Sequence, residues 1–333
     1  MLMAWVQLCA RQSGTPASGH DHPRSDVCSS GEHLRFDRGG LPCPERWFSV
    51  NIDPANQDWP ISPMARHVPV PVLMYHSVSD APAASIRALS VRPGAFAAQL
   101  DYLRQHGFTG LTFGELCKHR RAEEPLPDHP IVLTFDDGYA DFIEEALPIL
   151  MEHGFPATVF VTTGWMDDAG VHAAGTPPDR MLSWAQLAEL SAAGVEIGAH
   201  SHSHAQLDQI SERRLRAELA DPQHLLEDRL GHEISSLAYP YGYSSKRVRE
   251  VAREVGYLQA ASVANATAAP TCDPTSVPRL TVRRSTSLSV FAGIANQRRI
   301  RLHYAPAHVL SAAWVVARRT RSAVRTLSGQ VEP

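Results

Sequence analysis

The sequence predicts an α/β fold closed into a distorted (β/α)7 TIM-like barrel, and three observations carry that prediction. Short apolar runs at 70–74, 131–133, 157–161 and 195–199 alternate with amphipathic stretches of helical length. Such alternation implies βα units, a parallel sheet and right-handed crossovers. The units number about seven, more than a simple open sheet holds comfortably and close to a barrel. Polar residues able to do chemistry, His76, Asp136, Asp137, His200, His204 and Tyr241, follow the carboxyl ends of these runs, where barrel enzymes place their catalytic groups.

The run 70–75 ends in His76, and 77–87 reads as a loop. Over 93–106, Phe96, Leu100 and Leu103 recur at i, i+4 and i+7, and Gly107 stands where a helix stops. A short strand is predicted at 108–111 and a small helix at 113–120. The acidic, Pro-rich 123–130 leads into a strand at Ile131, and 141–153 is amphipathic up to Gly154. A strand at 157–161 precedes a loop over 163–181 rich in Gly, Pro and Asp, long enough to be functional. Ser183 caps a predicted helix over 184–193, and 195–199 is the next strand. Helices over 211–230 and 245–255, stopped by Gly231 and Gly256, flank a short run at 236–239, and 258–263 reads as strand.

Composition bounds the rest. With 333 residues, 44% of them hydrophobic, the chain can bury a barrel-sized core. No apolar run reaches the length of a spanning helix. The five cysteines form no CxxC pair, which argues against a disulfide framework or a cysteine zinc site. Residues 1–66 lack helical or strand periodicity and read as an irregular or disordered segment. The barrel domain is expected over 67–296. Beyond it, 297–333 reads as a basic, helical tail: after Asp273 the chain carries ten arginines and one acid, Glu332. That tail can pack on the barrel, the simpler reading, or lie on an anionic membrane surface. Nucleic-acid binding has no motif beyond charge to support it. The apolar but short start, with no leading positive charge, is a poor secretory signal, so a cytoplasmic or membrane-associated location is expected.

Within the barrel, Asp136-Asp137-Gly138 closes a buried strand. Taken alone, that tripeptide is more commonly a turn with capping duty. Adjacent carboxylates repel unless their tasks are separated, and a cation beside one of them does so. His200 and His204, four apart, can aim two imidazoles at one ion, and Asp137 would add an oxygen. Three protein ligands with an open position describe a hydrolytic zinc. Tyr139 and Tyr243 combine an aromatic face with a polar tip suited to a wet cleft, whereas Trp165 and Trp184 read as packing.

In Thr134-Phe135-Asp136-Asp137-Gly138, His200-Ser201-His202-Ser203-His204 and Tyr239-Pro240-Tyr241-Gly242, the chain resembles the polysaccharide deacetylases, carbohydrate esterase family four, which share the NodB homology domain. The resemblance covers roughly 70–290. It implies a NodB-type barrel and removal of N-acetyl groups from an N-acetylhexosamine-containing polysaccharide or glycoconjugate. It also implies a divalent metal, most simply Zn2+, on Asp137, His200 and His204. Asp136 would be the catalytic base, the Tyr241 N–H would help to hold the oxyanion, and Pro240, Tyr139 and Tyr243 would line the substrate site.

Two departures accompany it. The third motif usually carries an arginine where Ala238 or Tyr239 stands, so Asp136 needs another orienting group, and Arg279 is a candidate substitute, with an exposed or structural arginine as the alternative reading. No late Leu-x-His follows to supply the acid. His303 is a weak candidate, but the segment from Pro71 to His76 resembles the early histidine of the poly-N-acetylglucosamine deacetylase branch, and His76 is taken as the acid. Two alternatives stay open: an amidohydrolase acting on another amide, since fold does not fix substrate, and a domain that binds carbohydrate without turnover.

Overall fold

The computed structural model describes residues 68–166 and 173–305. The N-terminal segment 1–66 and the tail beyond 305 therefore lie outside the described residues. Eight parallel strands form the sheet: β1 (Val72–Tyr75), β2 (Thr109–Leu111), β3 (Pro130–Phe135), β4 (Thr158–Val161), β5 (Glu196–Ala199), β6 (Ser236–Ala238), β7 (Gln259–Val263) and β8 (Val277–Thr281). Seven of them close the barrel. Consecutive strands pair from β3 to β8, and β1 seals the seam between β8, at Leu73 to Leu280, and β3, at Leu73 to Leu133.

The strand count matches the expectation, but the membership differs. The run at 108–111 forms β2, yet β2 is not part of the ring. Val132 of β3 pairs with Val72 of β1 and with Leu111 of β2, so these two lie on opposite edges of β3. On the β2 side, β4 takes Thr134 and Phe135. Thus β2 occupies only the amino-terminal half of an edge that β4 finishes. The seventh barrel strand is β8, which periodicity did not reveal because Val-Pro-Arg-Leu-Thr holds a proline without an N–H and a charged residue.

Around the strands run α1 (Pro93–Gln105), α2 (Phe113–Arg121), α3 (Leu147–His153), α4 (Trp184–Ala192), α5 (Glu212–Leu230), α6 (Lys246–Val255), α7 (Leu288–Ala295) and α8 (Ile300–His303). Capping boxes start two of them, Thr112 with Glu115 at α2 and Ser183 with Gln186 at α4. The amphipathic stretch at 141–153 is not one regular helix. Pro148 has no N–H to offer, and the chain passes through a wide turn at Phe142–Ala146, with the Leu147 N–H reaching the Phe142 carbonyl, before α3 begins.

The two-residue period of the strands splits the core into two layers. Leu73, Leu133, Val159, Ile197, Leu237 and Leu280 join the layer that meets the helices. Val72, Val132, Phe160, Ala238, Ala261 and Val277 form the second, inside the ring. Continuing that inner face by two residues brings Thr134 and then Asp136 inward on β3, and Arg279 inward on β8. No helix among the described residues is long and apolar enough to cross a membrane.

Candidate active site

Asp136 and Arg279 meet inside the ring, as the strand period requires. The guanidinium donates from Nη1 to Asp136 Oδ1 at 2.6 Å and from Nη2 to Oδ2 at 2.7 Å. Nη1 also reaches Thr134 Oγ1 at 3.0 Å, and the cation lies 5.6 Å from the Phe160 ring centroid. Arg279 has no exposed surface and Asp136 is 3% exposed. Burial alone would push the Asp136 carboxyl up; Arg279, helped by His200, outweighs it and holds the group below the usual carboxylate range. The paired fork also fixes the plane of the carboxylate.

Next to it the chain turns sharply. Asp137 has φ of +75° and Gly138 of +88°, a pair of left-handed residues that swings the second carboxylate out of the strand. A Cβ on Gly138 would sit 3.0 Å from Val161 Cγ1, so this residue is doubly restricted. Asp137 Oδ1 then lies 3.4 Å from His200 Nε2 and 3.3 Å from His204 Nε2. His200 turns Nδ1 to the Ala238 carbonyl at 2.8 Å, which leaves Nε2 for the cluster. One ligand atom from each of the three residues lies within 4.8 Å of the others.

This donor set fits a divalent metal. Asp137 Oδ1 is buried and accepts no hydrogen bond among the described residues, an expensive state unless a cation or proton compensates it. Two imidazoles and one carboxylate match catalytic zinc. Burial and the neighbouring His200 push His204 down to about 4, favouring the neutral ring that a metal requires.

His76, at the end of β1, belongs to the same group. Its Nδ1 is buried without a hydrogen-bond partner among the described residues. Burial lowers its pKa against the opposing pull of Asp137 and Asp136. Tyr241, 51% exposed, sets its ring edge-on to His204 at 4.6 Å and stacks on half-buried Tyr243 at 5.6 Å. Its φ is +60°, and its N–H donates to no acceptor among the described residues. Gly242 allows that turn, since a Cβ there would come 2.4 Å from Val263 Cβ. Pro240 is buried at the start of the same turn. Tyr139, expected at a wet cleft wall, is only 2% exposed, and burial together with Asp137 holds its hydroxyl far above the usual tyrosine range. His303 lies in α8 against Gly293 of α7, away from this group.

Sequence reasoning gave too little weight to Trp165 and missed Thr134. The Trp165 ring stacks on His204 at 5.0 Å, anchored by its Nε1 bond to the Ala174 carbonyl. Trp184 packs in the core beneath the Arg229 guanidinium. Thr134 donates to the Leu73 carbonyl and accepts from Arg279, a role its place two residues before Asp136 on one strand face could have signalled.

Residues 123–260 match the family model described as Polysaccharide deacetylase. Over this segment the chain is similar to the polysaccharide deacetylases. Poly-beta-1,6-N-acetyl-D-glucosamine N-deacetylase of Escherichia coli (strain K12) is 27% identical over 275 residues, covering 72% of this chain and 39% of that protein. The chain therefore spans well under half of that relative. Among solved structures, IcaB from Ammonifex degensii is 26% identical with a TM-score of 0.58, covering 68% of this chain and 97% of that one. A polysaccharide deacetylase from Bacillus cereus is 25% identical with a TM-score of 0.59, covering 69% of each. The seven-strand ring described above is consistent with a distorted NodB-type barrel, and Arg279 of β8 makes the contact to Asp136 that an orienting arginine would make.

Next to this cluster in sequence, Ser77 Oγ donates to Asp141 Oδ2 at 2.5 Å, while Asp141 Oδ1 is buried without a partner among the described residues. Burial pushes this carboxyl up to about 6, with the Ser77 bond opposing. A raised folded-state pKa contributes stability that is complete below the unfolded value, about 4, and is lost as pH rises through about 6. The shift amounts to roughly 3 kcal/mol. Asp141→Asn is therefore expected to flatten the decline of stability across this window in urea unfolding at stepped pH. Equal slopes in both proteins would contradict the assignment.

Proposed function

We propose that the chain is a divalent-metal-dependent N-deacetylase acting on a polysaccharide or glycoconjugate that contains N-acetylhexosamine. The observation that carries this reading is the division of labour between adjacent carboxylates. Arg279 clamps Asp136 in ionised form, and Asp137 offers a bare buried oxygen beside two imidazoles. The names of the relatives supply the substrate class.

Amide hydrolysis needs a deprotonated water, a stabilised oxyanion and a proton for the leaving nitrogen. Asp137, His200 and His204 would hold the metal, which when bound supplies Lewis acidity and a water of lowered pKa. Asp136 takes the proton of the attacking water at a carboxylate whose orientation Arg279 fixes. The Tyr241 N–H donates to the carbonyl oxygen as it gains charge. His76 delivers a proton to the departing amine. The Tyr241 and Tyr243 rings present an aromatic edge on which a sugar face can rest.

The test is metal content and turnover measured together. Protein purified without chelator is expected to carry about one zinc per chain, lost in Asp137→Ala and His200→Ala, and to release acetate from acetylated glucosamine oligomers. Zinc binding with turnover only on small amides would move the substrate class. Absence of zinc binding after zinc is supplied would remove the mechanism.

A further inference from the structure

The loop bearing the two histidines is strained and has to be held from outside. Ser201 has φ of +61° and His204 of +55°, left-handed conformations that cost of order 1–3 kcal/mol each for non-glycine residues. Four of the nine non-glycine residues with left-handed φ among the described residues are Asp137, Ser201, His204 and Tyr241, so the strain gathers at the site. On one side the loop is tied to the segment after β4: the Gly164 N–H donates to the His202 carbonyl at 2.8 Å, and Thr163 Oγ1 meets His202 Nδ1 at 3.1 Å.

On the other side stands a single carboxylate. Glu218, on the buried face of α5, accepts the Ser203 N–H at 2.8 Å and the His202 N–H at 3.2 Å on Oε2, and the Ser203 hydroxyl on Oε1. Its backbone carbonyl also accepts the His202 N–H, at 3.1 Å. The residue is 5% exposed, and the cation paired with it among the described residues, the exposed Arg214, is 3.8 Å away. A buried anion with so distant a counter-ion is sustained by the loop dipoles that converge on it. Conversely, those loop groups have this carboxylate as their side-chain acceptor.

We propose that Glu218 is the positioning residue of the metal site: it holds the 201–204 loop in its left-handed turns and thereby sets His204 at ligand distance from Asp137 and His200. It touches none of the three ligands and acts only through the loop. The inference rests on the metal-site reading above.

Zinc and cobalt ions are the probes, applied to the full chain by chelator competition and cobalt absorption. Glu218→Gln keeps the shape and one acceptor but loses the charge, and is expected to weaken zinc binding about 10-fold. Glu218→Ala is expected to approach 100-fold, the upper range for removal of a residue that orients a metal ligand. The cobalt spectrum should change in both, while the thermal midpoint of the metal-free Glu218→Gln protein stays near wild type. If Glu218→Ala does not fold, Glu218→Gln alone decides. Wild-type zinc affinity and an unchanged cobalt spectrum in Glu218→Gln would overturn the proposal while leaving the metal site standing. A loss of metal-free stability with unchanged affinity would do the same. Failure of the wild type to bind either ion would overturn both readings.

Discussion

Arg279→Met is expected to destabilise the protein by about 3–5 kcal/mol, the usual cost of breaking one half of a buried ion pair. Methionine fills much of the space of the arginine stem, so the loss comes from the charge left behind. Asp136 has almost no solvent contact, and its two oxygens would lose both short bonds from the guanidinium. With burial unopposed, the carboxyl would shift upward and hold a proton at neutral pH. The site would then lose its base as well as its stability. Urea unfolding of Arg279→Met, Asp136→Asn and the double variant separates the two effects. The double variant is expected to recover part of the lost stability, because no unpaired ion remains, but none of the turnover. Strictly additive losses would show that the pair is not coupled.

Asp136→Asn, in contrast, is expected to spare the metal and remove the chemistry. The amide keeps the size of the carboxylate, and Asp136 is not among the three residues whose ligand atoms cluster. Zinc content should therefore match wild type, while turnover of acetylated oligomers falls by about 10²- to 10⁴-fold, the range associated with a positioned general base. Because Arg279 would then face a neutral group, assays belong well below the variant's thermal midpoint. A variant that retains wild-type turnover would disqualify Asp136 as the base.

Much of the barrel was legible because β3, β4 and β5 are buried on both faces and read as apolar runs. The motifs around Asp136 and His200 were legible because each is contiguous and terminates such a run. Three features resisted for different physical reasons. Strand β8 is disguised by Pro278 and Arg279, whose charge is tolerated only because Asp136 waits opposite it. Strand β2 was visible, but its exclusion from the ring depends on which half of a β3 edge is still open. Glu218 lies in the middle of α5, where Glu is ordinary surface composition. Only the fold shows that its face of the helix meets the histidine loop.

The way the ring closes also imposes an order on how the site comes into being. Asp136 and its counter-ion are 143 residues apart in sequence, and the seam between β1 and β8 joins the two ends of the domain. Contacts of such long range are reached late and slowly. Until β8 docks, Asp136 has water as its partner, and shutting the interior around it would strand a bare charge. The last of the barrel's strands in chain order, among the described residues, thus carries the cation that permits the interior to dry, and a half-built barrel has an electrostatic reason to stay open until that strand arrives.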